Sequence, residues 1–467
     1  MSGYALRDMF LAVLSPNALL LVAAVSIIGL ILLIARFKLN AIIAITIVSM
    51  LLGLAAGMDA KGVADAYTAG IARTMGQLAM IIGLGTMLGK MLAESGGANV
   101  VASGVVRFFG ASRVDYAMMV AAFVIGISVF FQVGLLLLGP IAYALARETK
   151  TPILRIGLPL AAGLSTAHGL IPPHPGPLAA ITTLHADIGK TILWSLFVVG
   201  PPVAIVTGPL LARWVTPGVI PTHVGMGESA SAKPSAPNAP GFAVSLFTIL
   251  LPVLLMLLGT AAGLLWPTDR FPGGTWQADA RSWADFIGNP TVAMLLAVLV
   301  SFWTFGRACG LNSHQILRFS EDCLAPAAGV LLVIAAGGGF SMVLNASGVG
   351  EALATVGKSM HMSPLLLGWL IAGMLRVAVG SATVSVQTAA SIMLPLVQAD
   401  PHINKELLVL SMGAGSLLLS HVNDGGFWLV KEYFGTDIPQ TLKTWTVVET
   451  GIAVMSIALI LIVSPFA

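Results

Sequence analysis

Two segments combine ionisable side chains with residues that interrupt helices. His168 and His174 lie in GLSTAHGLIPPHPGP, residues 163–177, where four prolines remove backbone donors. Asp424 lies in GAGSLLLSHVNDGG, residues 413–426, just before a Gly-Gly pair that permits a sharp turn. Imidazole and carboxyl groups change charge when they bind one proton. We therefore predict that His168, His174 and Asp424 carry protons, with a helix cap as a second role for Asp424.

Polar neighbours of these groups have the chemistry to bind a small hydroxylated acid. Hydroxyl and amide groups both donate and accept hydrogen bonds, and a guanidinium suits a carboxylate through two parallel bonds. Arg376 stands alone between two apolar stretches, so it either meets a substrate carboxylate or marks the end of a span. The predicted substrate-binding residues of these segments are Ser165, Thr166, His174, Arg376 and Asn423.

Two further segments match each other, at residues 94–99 (ESGGAN) and 345–350 (NASGVG). Each follows a glycine-rich apolar run, as at the tip of a re-entrant hairpin, where backbone amides bind anions. Gly-Ser pairs also permit close helix packing, which remains an alternative. Lys90 and Glu94, at i and i+4, are expected to neutralise each other. The predicted anion-binding residues are Ser95, Gly96, Asn345, Ser347 and Gly348.

The elements that position these residues must lie in a membrane. Of 467 residues, 57% are hydrophobic and only 9% are charged, too few to cover a soluble protein of this size. Uncharged stretches long enough to cross the hydrocarbon layer recur along the whole chain. The composition predicts an all-α polytopic membrane protein with about 10 to 14 passes. Residues 163–177 then form an unwound stretch inside a span, or alternatively a surface loop.

The chain divides into two related halves. Shifting it by 250 to 252 residues aligns three segments in the same order, including the two proton-binding segments. We predict a first repeat at residues 1–220, a cytoplasmic Pro/Ser/Ala-rich linker at 221–241 and a second repeat at 242–467. Basic residues flank the linker, and the Trp-containing loop before the next span has balanced charge, so the repeats have opposite orientations. Inverted repeats of this kind bind substrate between them, near the midplane.

The segments AHGLIPPHPGP (167–177), LRVAVGSATV (375–384) and SHVNDGGFW (420–428) resemble the gluconate permease (GntP) family, and the likeness covers nearly the whole chain. The resemblance implies a homodimeric symporter of the bacterial inner membrane, built from inverted repeats with hairpins and broken helices. It implies uptake of D-gluconate or idonate with protons. Other members carry D-glycerate, fructuronate or D-serine, and freed backbone carbonyls leave sodium coupling open.

Other functional classes fit the sequence less well. A channel predicts polar stripes along several spans, whereas here the polar residues lie at paired interruptions. The sequence contains neither the phosphate-binding loop of an ATP-driven pump nor the HExxH-type spacing of metal ligands that a membrane enzyme would use. We predict no cofactor, no metal and no enzymatic activity. A net charge of +3 without a dense basic tract argues against nucleic acid, which leaves a sugar acid, protons and the lipid bilayer as partners.

Overall fold

The computed structural model describes residues 15–229, 238–267, 270–271, 273–349, 362–422 and 424–466, which form helices joined by short turns. The first half contains α1 (Pro16–Ala35), α2 (Ala41–Ala55), α3 (Ala60–Glu94), α4 (Gly97–Phe109), α5 (Val114–Gly126), α6 (Phe131–Glu148), α7 (Ile153–Leu170), α8 (Pro175–Leu184) and α9 (Ile188–Val215). The second half contains α10 (Phe242–Leu265), α11 (Trp276–Gly288), α12 (Pro290–Cys309), α13 (Ser313–Asp322), α14 (Leu324–Ala346), α15 (Pro364–Val379), α16 (Ala382–Ala399), α17 (Lys405–Gly415), α18 (Gly425–Phe434) and α19 (Ile438–Phe466).

Side-chain caps fix where many of these helices begin. Asn40 and Asp59 accept hydrogen bonds from the first turns of α2 and α3, and Asn404 and Asp437 do the same for α17 and α19. Such caps satisfy backbone donors that have no partner within the helix.

The protein is an all-α polytopic membrane protein. Eight of the described helices are long and apolar enough to cross a membrane, and four shorter apolar helices accompany them. Large apolar side chains such as Leu21, Phe197 and Trp303 are more than 60% exposed on the outside of the bundle, as a lipid-facing surface requires. The expectation of 10 to 14 passes stays a prediction, because several helices are interrupted by a short break, and the number of passes depends on whether the two parts count as one span.

The Pro-rich segment of the first half contains a break that is shorter than predicted. Helix α7 continues through Leu170, and only residues 171–174 separate it from α8. Ile171 is extended, with φ −105° and ψ 120°, because a residue before proline avoids the helical region. The expectation that the chain is unwound from Gly163 onward is therefore wrong.

The corresponding segment of the second half also breaks. Helix α17 ends at Gly415, residues 416–419 form a turn, and α18 begins at Gly425. Helices α8 and α18 begin 250 residues apart, at 175 and 425, and so do α9 and α19, at 188 and 438. The order of helices in the first half therefore recurs in the second.

A second pair of breaks lies between α5 and α6 and between α15 and α16. The latter break lies at Gly380 and Ser381, and Gly380 has a φ of 80° that favours glycine. The former, at residues 127–130, was not predicted.

The halves interlock along α3 and α14. A Cβ atom added to Gly70 would lie 2.3 Å from the carbonyl oxygen of Gly338, so the two backbones are in direct contact. Small residues permit such an approach in membranes, where close van der Waals packing holds helices together.

The linker between the halves is partly fixed. The backbone amides of Thr222 and His223 donate to the carbonyl of Gly435, at 2.9 and 3.2 Å. Residues 230–237 of the predicted linker lie outside the described residues. The first residues of the predicted linker therefore bind the end of α18.

Candidate functional site

A cavity of about 530 Å³ lies where the helix breaks meet. Its walls come from both halves: the start of α6, the last turns of α7, the Gly380–Thr383 break, the Asp424–Gly426 break and one face of α19. The volume falls within the range of small-molecule sites, roughly 300–1,000 Å³. Interrupted helices are tolerated at membrane depth where they line such a cavity.

An ion pair between Arg376 and Asp424 lies in the wall of this cavity. The two residues are only 4% and 8% exposed, and Nη2 of Arg376 donates to Oδ2 of Asp424. Nη1 of Arg376 donates to the carbonyl of Gly380 at 2.6 Å. Asp424 also accepts from the amide of Gly426, at 2.9 Å, and from the hydroxyl of Ser420. Asp424 therefore caps α18 and balances the guanidinium at the same time.

The guanidinium of Arg376 has N–H donors beyond the two used by Asp424 and Gly380. Within the described part of the chain, its Nε has no hydrogen-bond partner although it is buried. Buried polar groups are normally paired, so the unpaired Nε is an exception in the wall of the cavity.

Ser420 connects this ion pair to α19. Nε1 of Trp445 donates to the hydroxyl of Ser420 at 2.9 Å, and the hydroxyl of Thr446 donates to the backbone carbonyl of Ser420. These bonds fix the orientation of Asp424, because Ser420 donates its own hydrogen to that carboxylate.

Glu449 is a buried carboxyl group that the sequence analysis missed. It lies on α19, lines the cavity, is 1% exposed and accepts a hydrogen bond from Ser165 of α7. It immediately precedes an uncharged apolar stretch at residues 450–467. A single carboxyl at the edge of such a span was the signal that could have identified it.

The two histidines lie one behind the other, with His168 at the cavity and His174 behind it. His168 lines the cavity, and its Nδ1 lies 3.3 Å from Nδ1 of His174. Nε2 of His174 donates to the carbonyl of Gly126, since a carbonyl only accepts. In the neutral state Nδ1 of His174 then accepts from His168, whose Nε2 is left as an acceptor. The ring of Phe130, 6.4 and 6.2 Å from the two imidazoles, packs against both.

The contact of His174 with Gly126 has a counterpart in the second half. Gly126 and His174 are 48 residues apart, as are Arg376 and Asp424, and the second pair lies 250 positions after the first. In each half, a hydrogen bond from a side chain therefore bridges two helix breaks. The bridge is neutral in the first half and an ion pair in the second.

The predicted anion-binding turns lie elsewhere. The Ser95 hydroxyl donates to the carbonyl of Leu92 at 3.1 Å and accepts from the amide of Gly97 at 3.2 Å. The Ser347 hydroxyl donates to the carbonyl of Leu344 at 3.0 Å. As far as the described residues define it, the cavity wall includes none of Ser95, Gly96, Asn345, Ser347 and Gly348.

Two other predicted substrate-binding residues are not among the described residues that line the cavity. Thr166 is fully buried next to Ser165, and its hydroxyl is without a partner among the described residues, but it does not line the cavity. Asn423 lies outside the described residues. Of the predicted residues, Ser165, His168, Arg376 and Asp424 come together in the cavity wall, with His174 directly behind.

A second cavity, of about 500 Å³, lies beside α3 and contains Lys90 and Glu94. Their Nζ and Oε1 atoms are 2.8 Å apart, which confirms the predicted neutralising pair.

Comparison with known proteins identifies the family. The model of the GntP family permeases matches residues 18–465. The chain belongs to the GntP permease family. This GntP permease is therefore a multi-pass transport protein of the inner membrane.

Relatives of this permease differ in the substrates for which they are named. The gluconate permease of Pseudomonas aeruginosa is 46% identical over 449 residues, which cover 96% of this chain and 97% of that relative. The D-serine transporter DsdX of Escherichia coli K12 is 34% identical over 438 residues, which cover 93% and 95%. The crystal structure of the YdaH transporter of Alcanivorax borkumensis is similar with a TM-score of 0.64, over 91% of this chain and 98% of that one. At 17% identity, this last likeness shows the fold alone.

Proposed function

We propose that the protein is a secondary active transporter that takes up D-gluconate, or a related small sugar acid, together with protons and without any enzymatic step. The observation that carries the proposal is the cavity at the helix breaks, where a buried guanidinium lies among carboxyl and hydroxyl groups. The similarity to gluconate permeases supports the choice of substrate.

Arg376 is the proposed binding site for the substrate carboxylate. Its Nε donor has no partner among the described residues, and its guanidinium lies in the cavity wall. Charge-assisted hydrogen bonds from a guanidinium are the strong interactions that hold a carboxylate in a water-poor site. In this proposal Arg376 takes over the anion-binding role first assigned to the hairpin turns at Ser95 and Ser347.

The substrate hydroxyls are proposed to bind the polar residues around this guanidinium. Ser165, Ser381, Thr383 and Gln132 line the cavity and come from three different walls. Hydroxyl and amide groups accept from and donate to sugar hydroxyls with equal ease. A chain of hydroxyls extending from a carboxylate matches this arrangement better than an apolar acid does.

Charge balance supports coupling to protons. The cavity wall holds one guanidinium and the carboxyl groups of Asp424 and Glu449, and a bound sugar acid adds a third carboxyl group. Three carboxylates around one cation repel one another strongly in a low dielectric, so substrate and protons bind more easily together than alone. Import of an anion against an inside-negative potential also costs roughly 2.3 kcal/mol per charge per 100 mV, which cotransported protons offset.

The two halves, residues 1–220 and 242–467, are proposed to act as inverted repeats that expose the cavity to each side of the membrane in turn. The recurrence of helix order and the interlocked packing of α3 on α14 support this view. A homodimer, which the family resemblance implies, belongs to the same proposal. Its test is the mass of the purified permease in detergent.

Transport by the purified protein in proteoliposomes tests the proposal. Labelled D-gluconate is offered with an imposed pH gradient, acidic outside, or with a sodium gradient. We expect accumulation with the pH gradient and its loss when a protonophore is added. Accumulation driven only by sodium would show that the coupling ion is sodium and not the proton.

Competition identifies the substrate class. The D-serine transporter among the relatives makes D-serine the second candidate, and D-glycerate and fructuronate complete the set. We expect unlabelled sugar acids to block gluconate uptake and D-serine to have little effect. Strong D-serine uptake without gluconate uptake would overturn the substrate and leave the transporter function in place.

A further inference from the structure

Glu449 differs from Asp424 in how its carboxyl group is surrounded. Asp424 has three donors, from Arg376, Ser420 and the amide of Gly426. Glu449 accepts from the hydroxyl of Ser165, and within the described part of the chain no Lys, Arg or His nitrogen lies within 4.0 Å of its oxygens. A carboxylate that is buried without a cation is costly, whereas a protonated carboxyl group is not.

The contact with Ser165 suits both protonation states of Glu449. When Glu449 is charged, the serine hydroxyl donates to it, as the structure shows. When Glu449 is protonated, its O–H donates to the serine oxygen, because a hydroxyl also accepts. A proton can therefore bind and leave without loss of this hydrogen bond or movement of α19.

Other charged or titratable groups face Glu449 across the cavity. Arg376 comes from α15, Asp424 from the break before α18, and His168 from α7. The Arg376 charge favours the ionised form of Glu449, and a substrate carboxylate bound to Arg376 cancels that effect. Binding of the substrate therefore favours protonation of Glu449, and protonation favours binding of the substrate.

We propose that Glu449 is the residue that binds the coupling proton and that Ser165 positions its carboxyl group. The inference rests on the proposed function and makes it more specific. His168, whose Nε2 is an acceptor in the neutral state, then has the role of passing the proton between the cavity and Glu449.

The test is the variant Glu449→Gln in proteoliposomes, assayed in two ways. Exchange of labelled for unlabelled D-gluconate needs no net proton movement, whereas accumulation under a pH gradient does. We expect E449Q to retain exchange, to lose accumulation, and to lose the pH dependence of exchange. The matched control is Glu94→Gln, a carboxyl group of the second cavity that is paired with Lys90 and is expected to leave both assays unchanged.

A binding measurement covers the case in which E449Q transports poorly. Calorimetry in buffers of different ionisation enthalpy gives the number of protons taken up with each gluconate. We expect uptake of a proton by the native protein and by E94Q, and loss of that uptake in E449Q. Equal proton uptake by E449Q, or its accumulation of gluconate at the native level, overturns the inference, and so does complete loss of binding.

These outcomes separate the inference from the function on which it rests. If the native protein accumulates gluconate under a pH gradient and E449Q does so equally, only the assignment of Glu449 fails. If the native protein shows no response to a pH gradient, proton coupling itself fails.

Discussion

Arg376 and Asp424 form a buried ion pair that joins two helix breaks 48 residues apart in the chain. The aspartate caps α18, and the arginine also binds the carbonyl of Gly380, in the break between α15 and α16. The pair therefore holds two discontinuous helices at the cavity wall while it presents a cation to the cavity. Substitutions separate these two roles.

Arg376→Lys tests carboxylate recognition. Lysine keeps the charge but loses the planar set of donors, so we expect KM for gluconate to rise about ten- to hundredfold, as loss of one charge-assisted hydrogen bond implies. The measurement is the initial rate of gluconate uptake at varied concentration. Arg213→Lys is the control, because Arg213 pairs with Asp115 at 2.9 Å outside the cavity and is 39% exposed. An unchanged KM in R376K would contradict the assignment.

Asp424→Asn tests the structural role of the pair. Asparagine still caps a helix, but Arg376 is left as an uncompensated buried charge, which costs roughly 3–5 kcal/mol. We expect a lower unfolding temperature in detergent, followed by tryptophan fluorescence. The double variant R376Q/D424N removes both charges and is expected to recover most of the loss. A double variant no more stable than D424N would argue against the pair as the cause.

His168 and His174 are expected to respond differently to alanine. His174→Ala removes the donor to the buried carbonyl of Gly126, so it should destabilise the fold by about 1–3 kcal/mol. His168→Ala leaves space that cavity water can fill, so it should affect gluconate accumulation more than stability. Thermal unfolding and transport of the two variants are compared side by side. Greater destabilisation by H168A would reverse the two roles.

Gly70→Ala tests the contact between α3 and α14. The added Cβ would meet the Gly338 carbonyl at 2.3 Å, and because the Cβ is bonded directly to one helix backbone and the carbonyl belongs to the other, neither can move aside cheaply. We expect a loss of about 1–3 kcal/mol or more and a poor yield of folded protein. Gly76→Ala on the same helix meets nothing within 4 Å and should be neutral or slightly stabilising. Equal behaviour of G70A and G76A in thermal unfolding would disprove the close contact.

Breaks caused by local chemistry could be predicted from the sequence. Pro172 and Pro173 end α7, and the residues after Gly380 start a new helix, because proline and glycine act on their immediate neighbours. The break at residues 127–130 has no proline. The carbonyl of Gly126, just before this break, accepts a hydrogen bond from His174, which lies 48 residues further along the chain. No local sequence pattern reveals such a partner.

The cavity could be predicted only in part for a similar reason. His168, Arg376 and Asp424 stand out because charge is rare in apolar segments. Glu449 sits at the end of an uncharged run and is brought to the cavity by the packing of α19 against α7, through Ser165. The hairpin turns were assigned to anions from their local geometry, but their position relative to the cavity depends on how the long helices pack.

The neutral bridge of the first half and the charged bridge of the second have a consequence for the path of the substrate. Two halves that share one architecture here differ in electrostatics, because His174 faces a carbonyl where Asp424 faces a guanidinium. The cavity is thus polarised: a sugar acid that binds Arg376 places its carboxylate against the second half, and its hydroxyl groups extend from there past Ser381 toward Gln132 and Ser165 of the first half. A sugar acid therefore binds in one orientation, and an acid with a charge at both ends is expected to be a poor substrate.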